Sequence, residues 1–222
     1  MRLAVPLAML LAGAPVRAQQ DRQFWTAVVA SGPVRGELAL FVYVEIHLED
    51  DASRLGETQL GAGLGWVPSE RFSLYGGYFL VTTHRPGAAD LKEHRLWQQA
   101  SYALGAIGPV RLSGRTGIEE RMFEGSHDLG WRLQQRVRAT LPVAHGRARL
   151  VAFAEMLFNL NDTDWGARAG PAQARGFGGV NLPVGHRESV EFGYFHQRIL
   201  REGAPDRINH VGLVTFSYRL GR

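Results

Sequence analysis

The chain has 222 residues, 45% of them apolar and 21% charged, which excludes collagenous and compositionally disordered classes. It has 27 glycines and no cysteine, so a disulfide framework, a cysteine nucleophile and a cysteine-based metal site are all excluded. The formal charge of +4 comes from scattered arginines, with Lys92 the only lysine and no block of like charge, and this argues against nucleic-acid binding.

Residues 1–18 read MRLAVPLAMLLAGAPVRA. Arg2 precedes an apolar run from Leu3 to Ala14, and Val16-Arg17-Ala18 supplies a small-residue cleavage site. This is the pattern of a secretory signal peptide, and the run is too short for a spanning helix of about 20 residues. Two regions are therefore expected: an export signal over 1–18 and one mature domain over 19–222. Loss of Arg2 and Arg17 leaves a mature charge of +2. No cysteine follows the cleavage site, so a lipoprotein anchor is not expected.

Beyond the signal no apolar stretch is long enough for a membrane helix, and period-two alternation recurs instead. FWTAVVAS opens the set, and ELALFVYVEIHL is its clearest member. Leu38, Leu40, Val42, Val44, Ile46 and Leu48 share one face there, with Phe41, Tyr43, Glu45 and His47 on the other. Twelve residues at about 3.3 Å each reach roughly 40 Å, longer than a typical globular strand. QLGAGLGW turns Leu60, Ala62, Leu64 and Trp66 outward, and RFSLYGGYFLV does so with Phe72, Leu74, Tyr78 and Leu80. HRLWQQASYAL is ambiguous, because either register exposes a glutamine. VRLSGRTGIEERMF and LGWRLQQRVRATL each oppose an apolar face to an arginine-rich one. RLVAFAEMLFN, RGFGGVNL, SVEFGYFHQ and HVGLVTFSYRL complete eleven segments.

Tight turns are expected at Gly32-Pro33, Pro68 to Glu70, Gly108-Pro109, His145-Gly146 and Gly185-His186, alternating with longer polar loops between them. Short turns on one rim and long loops on the other are the habit of an outer-membrane barrel. A soluble periplasmic β-sandwich that binds a ligand shares the alternation, but it needs neither strands this long nor arginines opposite the apolar face. The expected fold is therefore all-β: a single antiparallel up-and-down transmembrane β-barrel in the bacterial outer membrane. Even strand counts are usual, which makes about 12 strands the expectation and 10 the alternative.

Several strings resemble the DUF2490 family of exported bacterial proteins taken to be outer-membrane barrels. They are FWT (24–26), HRLWQQASY (94–102), RTGIEERMF (115–123), WRLQQRVRATLP (131–142), FAEMLFN (153–159), ARGFGGVNL (174–182) and FGYFHQ (192–197), in order along nearly the whole mature chain. The resemblance implies a fold and a location, and it supplies no catalytic residues.

The residues themselves offer little catalysis. None of the eight histidines has an HExxH or His-x-His spacing. His94 and Ser101 are seven positions apart and so point to opposite faces of one strand. No catalytic residue, metal ligand or cofactor is assigned. Glu49-Asp50-Asp51 reads as a solvated acidic loop. The informative set is a pair of arginine rows, Arg111, Arg115 and Arg121 on one strand and Arg132, Arg136 and Arg138 on the next. Arg95 and Arg175 join them in one register, and Glu45, Glu119, Glu155 and Glu191 are the inward acids available. Either these charges form an ion network that fills a narrow barrel, or surplus arginines line a path for small anions or acidic oligosaccharides. A barrel enzyme acting on lipid or lipopolysaccharide is the third possibility. The partners expected are outer-membrane lipid and, in the pore reading, those anions.

Overall fold

The structure, a computed structural model, describes residues 19–221; the expected signal at 1–18 lies outside the described residues. Eleven strands form one closed sheet: β1 (Gln19–Arg35), β2 (Leu38–Glu49), β3 (Arg54–Ser69), β4 (Phe72–Thr83), β5 (Leu91–Ile107), β6 (Val110–Phe123), β7 (Gly130–Val143), β8 (Ala148–Asn159), β9 (Gly170–Pro183), β10 (Glu188–Ile199) and β11 (Arg207–Arg219). A short 3-10 turn at Ala144–Gly146 joins β7 to β8. Because one sheet closes on itself, the two-sheet sandwich is replaced by a barrel.

Each sequence neighbour pairs antiparallel, whereas β1 pairs parallel with β11, from Gln19 opposite Arg207 to Ser31 opposite Arg219. The closed barrel thus holds eleven strands, between the 10 and 12 expected. No twelfth strand is needed to even the count, since a chain that crosses an odd number of times closes on a parallel seam. The seam puts the start of β1 on the rim that carries the long loops. The end of β11 lies on the rim of short turns.

Alternation sets the two faces. Leu60 and Leu64 are 52% and 60% exposed on the outer wall, while Ala39, Val81, Leu157 and Val211 are buried inside. Leu40, Val42, Val44 and Ile46 also face out, as their period requires. β5, which contains the ambiguous segment, turns Glu93, Arg95 and Trp97 inward and leaves Gln98 outside. Gln135 is outside as well, bonded to Thr116 and to the Tyr102 hydroxyl, so its amide is satisfied within the wall.

Glycine has a specific use at two places. A Cβ on Gly77 would lie 2.2 Å from the Ala62 carbonyl oxygen, so β3 and β4 approach this closely only with glycine there. Gly32-Pro33, expected as a turn, lies inside β1, and the turn falls at Gly36-Glu37. Gly32 has φ +139°, and a Cβ on it would meet the Leu220 carbonyl oxygen at 2.6 Å. The glycine makes room for the chain end that runs along the seam, where the Leu220 N–H donates to the Ser31 carbonyl.

Candidate functional site

The inward side chains enclose a cavity of about 770 Å³ that runs along the lumen. Two aromatic groups narrow it. On the β2–β5 side, Phe41, Tyr43, Phe79 and Trp97 pack edge and face with centroids 5.1–5.9 Å apart in successive pairs. Gly61 on β3 carries no side chain beneath the Phe79 ring, and a Cβ there would clash with that ring at 2.1 Å. Opposite, Trp25, Phe153, Phe177 and Phe195 pack with Val151 and Val211 as the buried core.

Between these groups lie the charges. Eight arginines line the cavity: Arg95, Arg115, Arg121, Arg132, Arg136, Arg138, Arg175 and Arg207. Each reaches a carboxylate. Glu93 accepts from Arg95 at 2.6 and 2.8 Å and from Arg121 at 2.5 and 3.1 Å. Glu119 accepts from Arg132 at 2.8 Å and also from Gln134. Glu155, whose side chain is fully buried, accepts from Arg115 and Arg136 at 2.9 Å each and from Arg175 at 3.2 Å. Glu191 on β10 accepts both nitrogens of the Arg138 fork from β7, so this pair bridges the lumen over the two intervening strands. Arg207 meets Asp21 at 3.4 Å and Glu49 at 3.6 Å. The Arg136 guanidinium also sits 4.0 Å from the Phe153 ring centroid, a cation–π contact.

Polar side chains extend the network. Arg175 donates to Gln173, Gln197 donates to Gln173, and Asn209 donates to Gln197, while Arg207 donates to Asn209. Asp21 then accepts from Gln23, whose oxygen takes the Trp25 indole N–H. The chain therefore crosses the seam from β9 to β1 without a break. His47 stacks on Trp25, centroids 3.7 Å apart, and lies 3.4 Å from both Glu45 and Glu57. Above the lumen, the β8–β9 loop places Trp165 against Arg121, 5.0 Å from ring centroid to guanidinium carbon.

Of the lumen candidates, Arg115, Glu119, Arg121, Arg132, Arg136, Arg138 and Glu191 line the cavity, and Glu155 lies buried beneath three of the arginines. Arg111 does not line it. It keeps the inward parity of its strand, but it sits at the short-turn rim and is exposed. Glu57, Glu93, Glu49 and Asp21 are the carboxylates that sequence reasoning missed. Glu93 stands just before the ambiguous segment and read as the end of a polar loop, whereas β5 begins at Leu91; the others also lie near strand ends, where alternation fades. The Glu93-x-Arg95 spacing was a usable signal, since residues two apart share a strand face. His94 and Ser101 stand on opposite faces of β5. Among the described residues no group of three or more His, Asp or Glu side chains could hold a metal ion.

The sequence profile of a family described as "Protein of unknown function (DUF2490)" matches residues 22–209. An uncharacterised protein of Methylorubrum extorquens is 32% identical over 213 residues, covering 94% of this chain and 93% of that one. Among solved structures, the outer-membrane-expressed OmpT of Vibrio cholerae is similar at TM-score 0.39 and 12% identity, covering 79% of this chain. The in-vitro folded trimer form of the same outer membrane protein is similar at TM-score 0.40 and 13% identity, again over 79% of this chain. The chain spans about 60% of the length of these solved structures.

Proposed function

We propose that this chain, which belongs to the DUF2490 family, is an outer-membrane β-barrel whose lumen is held shut by a charge-paired network. In this reading residues 1–18 export it, the apolar outer wall meets lipid, and its role is structural rather than diffusive. One observation carries the proposal: every arginine lining the lumen already has a carboxylate partner. An anion path needs cationic groups free to replace an ion's hydration shell, and paired guanidiniums do this poorly. A barrel of eleven strands is also well below the 16–18 at which open aqueous channels are clear.

A second reading rests on the local stoichiometry at Glu155, where three guanidiniums meet one carboxylate. That cluster keeps a net positive charge in mid-lumen, the basis for a narrow anion-preferring path for small anions or acidic oligosaccharides. Planar-bilayer recording of the purified barrel separates the two. Absence of steady conductance supports the closed network, and anion-selective conductance supports the path. Cation-selective conductance would overturn both.

A further inference from the structure

Outside the lumen, the parallel seam creates a feature that neither reading uses. Arg22 on β1 is the register partner of His210 on β11, and His210 is the partner of His196 on β10. All three face outward, because their neighbours Gln23, Val211 and Phe195 are buried inside. Adjacent strands lie about 4.8 Å apart, so the row spans roughly 10 Å of the outer wall. Among the described residues none of the three forms an ion pair with a carboxylate.

Height along the wall is read from the flanking residues. On β10 the outward series runs Phe192, Tyr194, His196, Arg198 toward the long-loop rim, from apolar through aromatic to basic. Phe24 and Tyr194 occupy the row just below the basic one, on either side of Gly212. Aromatic girdles mark the edge of the hydrocarbon, so the basic row stands at headgroup level. The Tyr194 hydroxyl lies 2.6 Å from His210 Nδ1 and 3.3 Å from His196 Nδ1. With the Tyr194 hydroxyl as donor to His210 Nδ1, that ring carries its proton on Nε2 and can donate from there. The opposite side of the barrel differs: His94 and Lys92 stand there within 3.5 and 3.8 Å of Glu124.

We propose that Arg22, His210 and His196 form a binding site for the phosphate headgroup of a lipid in the leaflet at the long-loop rim. The guanidinium and the His210 Nε2–H donate to phosphate oxygens, and the acyl chains run down past Tyr194 and Phe24. Because the three residues come from both ends of the chain, the bound headgroup staples the parallel seam. The inference rests on the membrane reading above.

The test reconstitutes the full barrel in phosphatidylcholine vesicles containing a minor fraction of phosphatidate, a phosphomonoester lipid, and counts the lipid retained by native mass spectrometry. Wild type should retain phosphatidate over phosphatidylcholine. The R22Q/H196Q/H210Q variant should lose about tenfold in retention, as expected for loss of charge-assisted hydrogen bonds. K92Q/H94Q should retain phosphatidate like wild type. Heat-dependent gel mobility confirms that each variant is a folded barrel, and R22Q alone serves if the triple variant does not fold. Equal retention by wild type and variants overturns the proposal. So does displacement by millimolar inorganic phosphate, which would make free phosphate the ligand. A chain that never inserts into vesicles refutes the membrane reading instead.

Discussion

Glu155→Gln is the sharpest single test of the lumen network. The substitution keeps the shape of the side chain and removes its charge. The Glu155 carboxylate is fully buried and takes charge-assisted bonds from Arg115, Arg136 and Arg175 at 2.9, 2.9 and 3.2 Å. Each such bond is worth about 1.5–3 kcal/mol, but relief of carboxylate burial offsets much of the sum. Removing one member of a buried ion cluster leaves a net cost of about 3–5 kcal/mol. At about 2–4 °C per kcal/mol for a domain of this size, the melting temperature should fall by roughly 10 °C. Circular dichroism and heat-dependent mobility of the reconstituted barrel read this directly. The E155Q/R136Q pair should recover part of the loss, because it removes one of the stranded guanidiniums. A change below about 1 kcal/mol in E155Q, with no coupling to R136Q, would refute a stabilising network.

Three further outcomes follow from the same geometry. In planar bilayers, E155Q should conduct with anion preference, since it frees three guanidiniums in mid-lumen; a variant as silent as wild type would count against charge pairing as the closure. Val44→Arg should cost about 2–4 kcal/mol in a vesicle-folding assay, while inward Gln59→Arg, beside Glu57, should cost about 1 kcal/mol or less; equal costs would reject the orientation of the wall. Gly77→Ala should destabilise by about 1–3 kcal/mol, because its Cβ has no room beside Ala62, whereas Gly178→Ala meets nothing within 4 Å and should be neutral or stabilising by about 0.5 kcal/mol in equilibrium urea unfolding.

The outer wall was legible wherever one face was apolar and the other polar. Leu38 to Leu48 shows this best, and β6 and β7 followed because arginines marked the inner face. Legibility failed where the contrast failed. In β5, Gln98 and Gln99 are adjacent, so alternation alone could not say which faced lipid, and Glu93, one residue before that segment, read as the end of a polar loop. That reading made the arginines look unpaired. The aromatic packing of Phe41, Phe79 and Trp97 was invisible for a different reason: alternation gives Phe41 its face, but which rings meet across β2, β4 and β5 depends on strand register and the gap left by Gly61. Gly32-Pro33 read as a turn because local chemistry favours one there. What occupies that space is the far end of the chain, a contact no local pattern can announce. The even strand count came from the habit of other barrels, and a parallel seam depends on residues at opposite termini.

That seam bears on how the barrel comes to exist. Its partners, Gln19 with Arg207 through Ser31 with Arg219, are separated by almost the entire length of the barrel's chain. Every other pairing in the wall joins consecutive strands through a turn or loop and can form as the chain advances. The seam has no such shortcut, and its slanted parallel bonds are slightly weaker per residue than antiparallel ones. Contacts of the greatest sequence separation form late and slowly. The rate of assembly should therefore be set at the seam, with an open ten-hairpin ribbon as the species that waits. Its two bare edges are the most hazardous surface this chain ever presents, since unpaired strand edges recruit other chains.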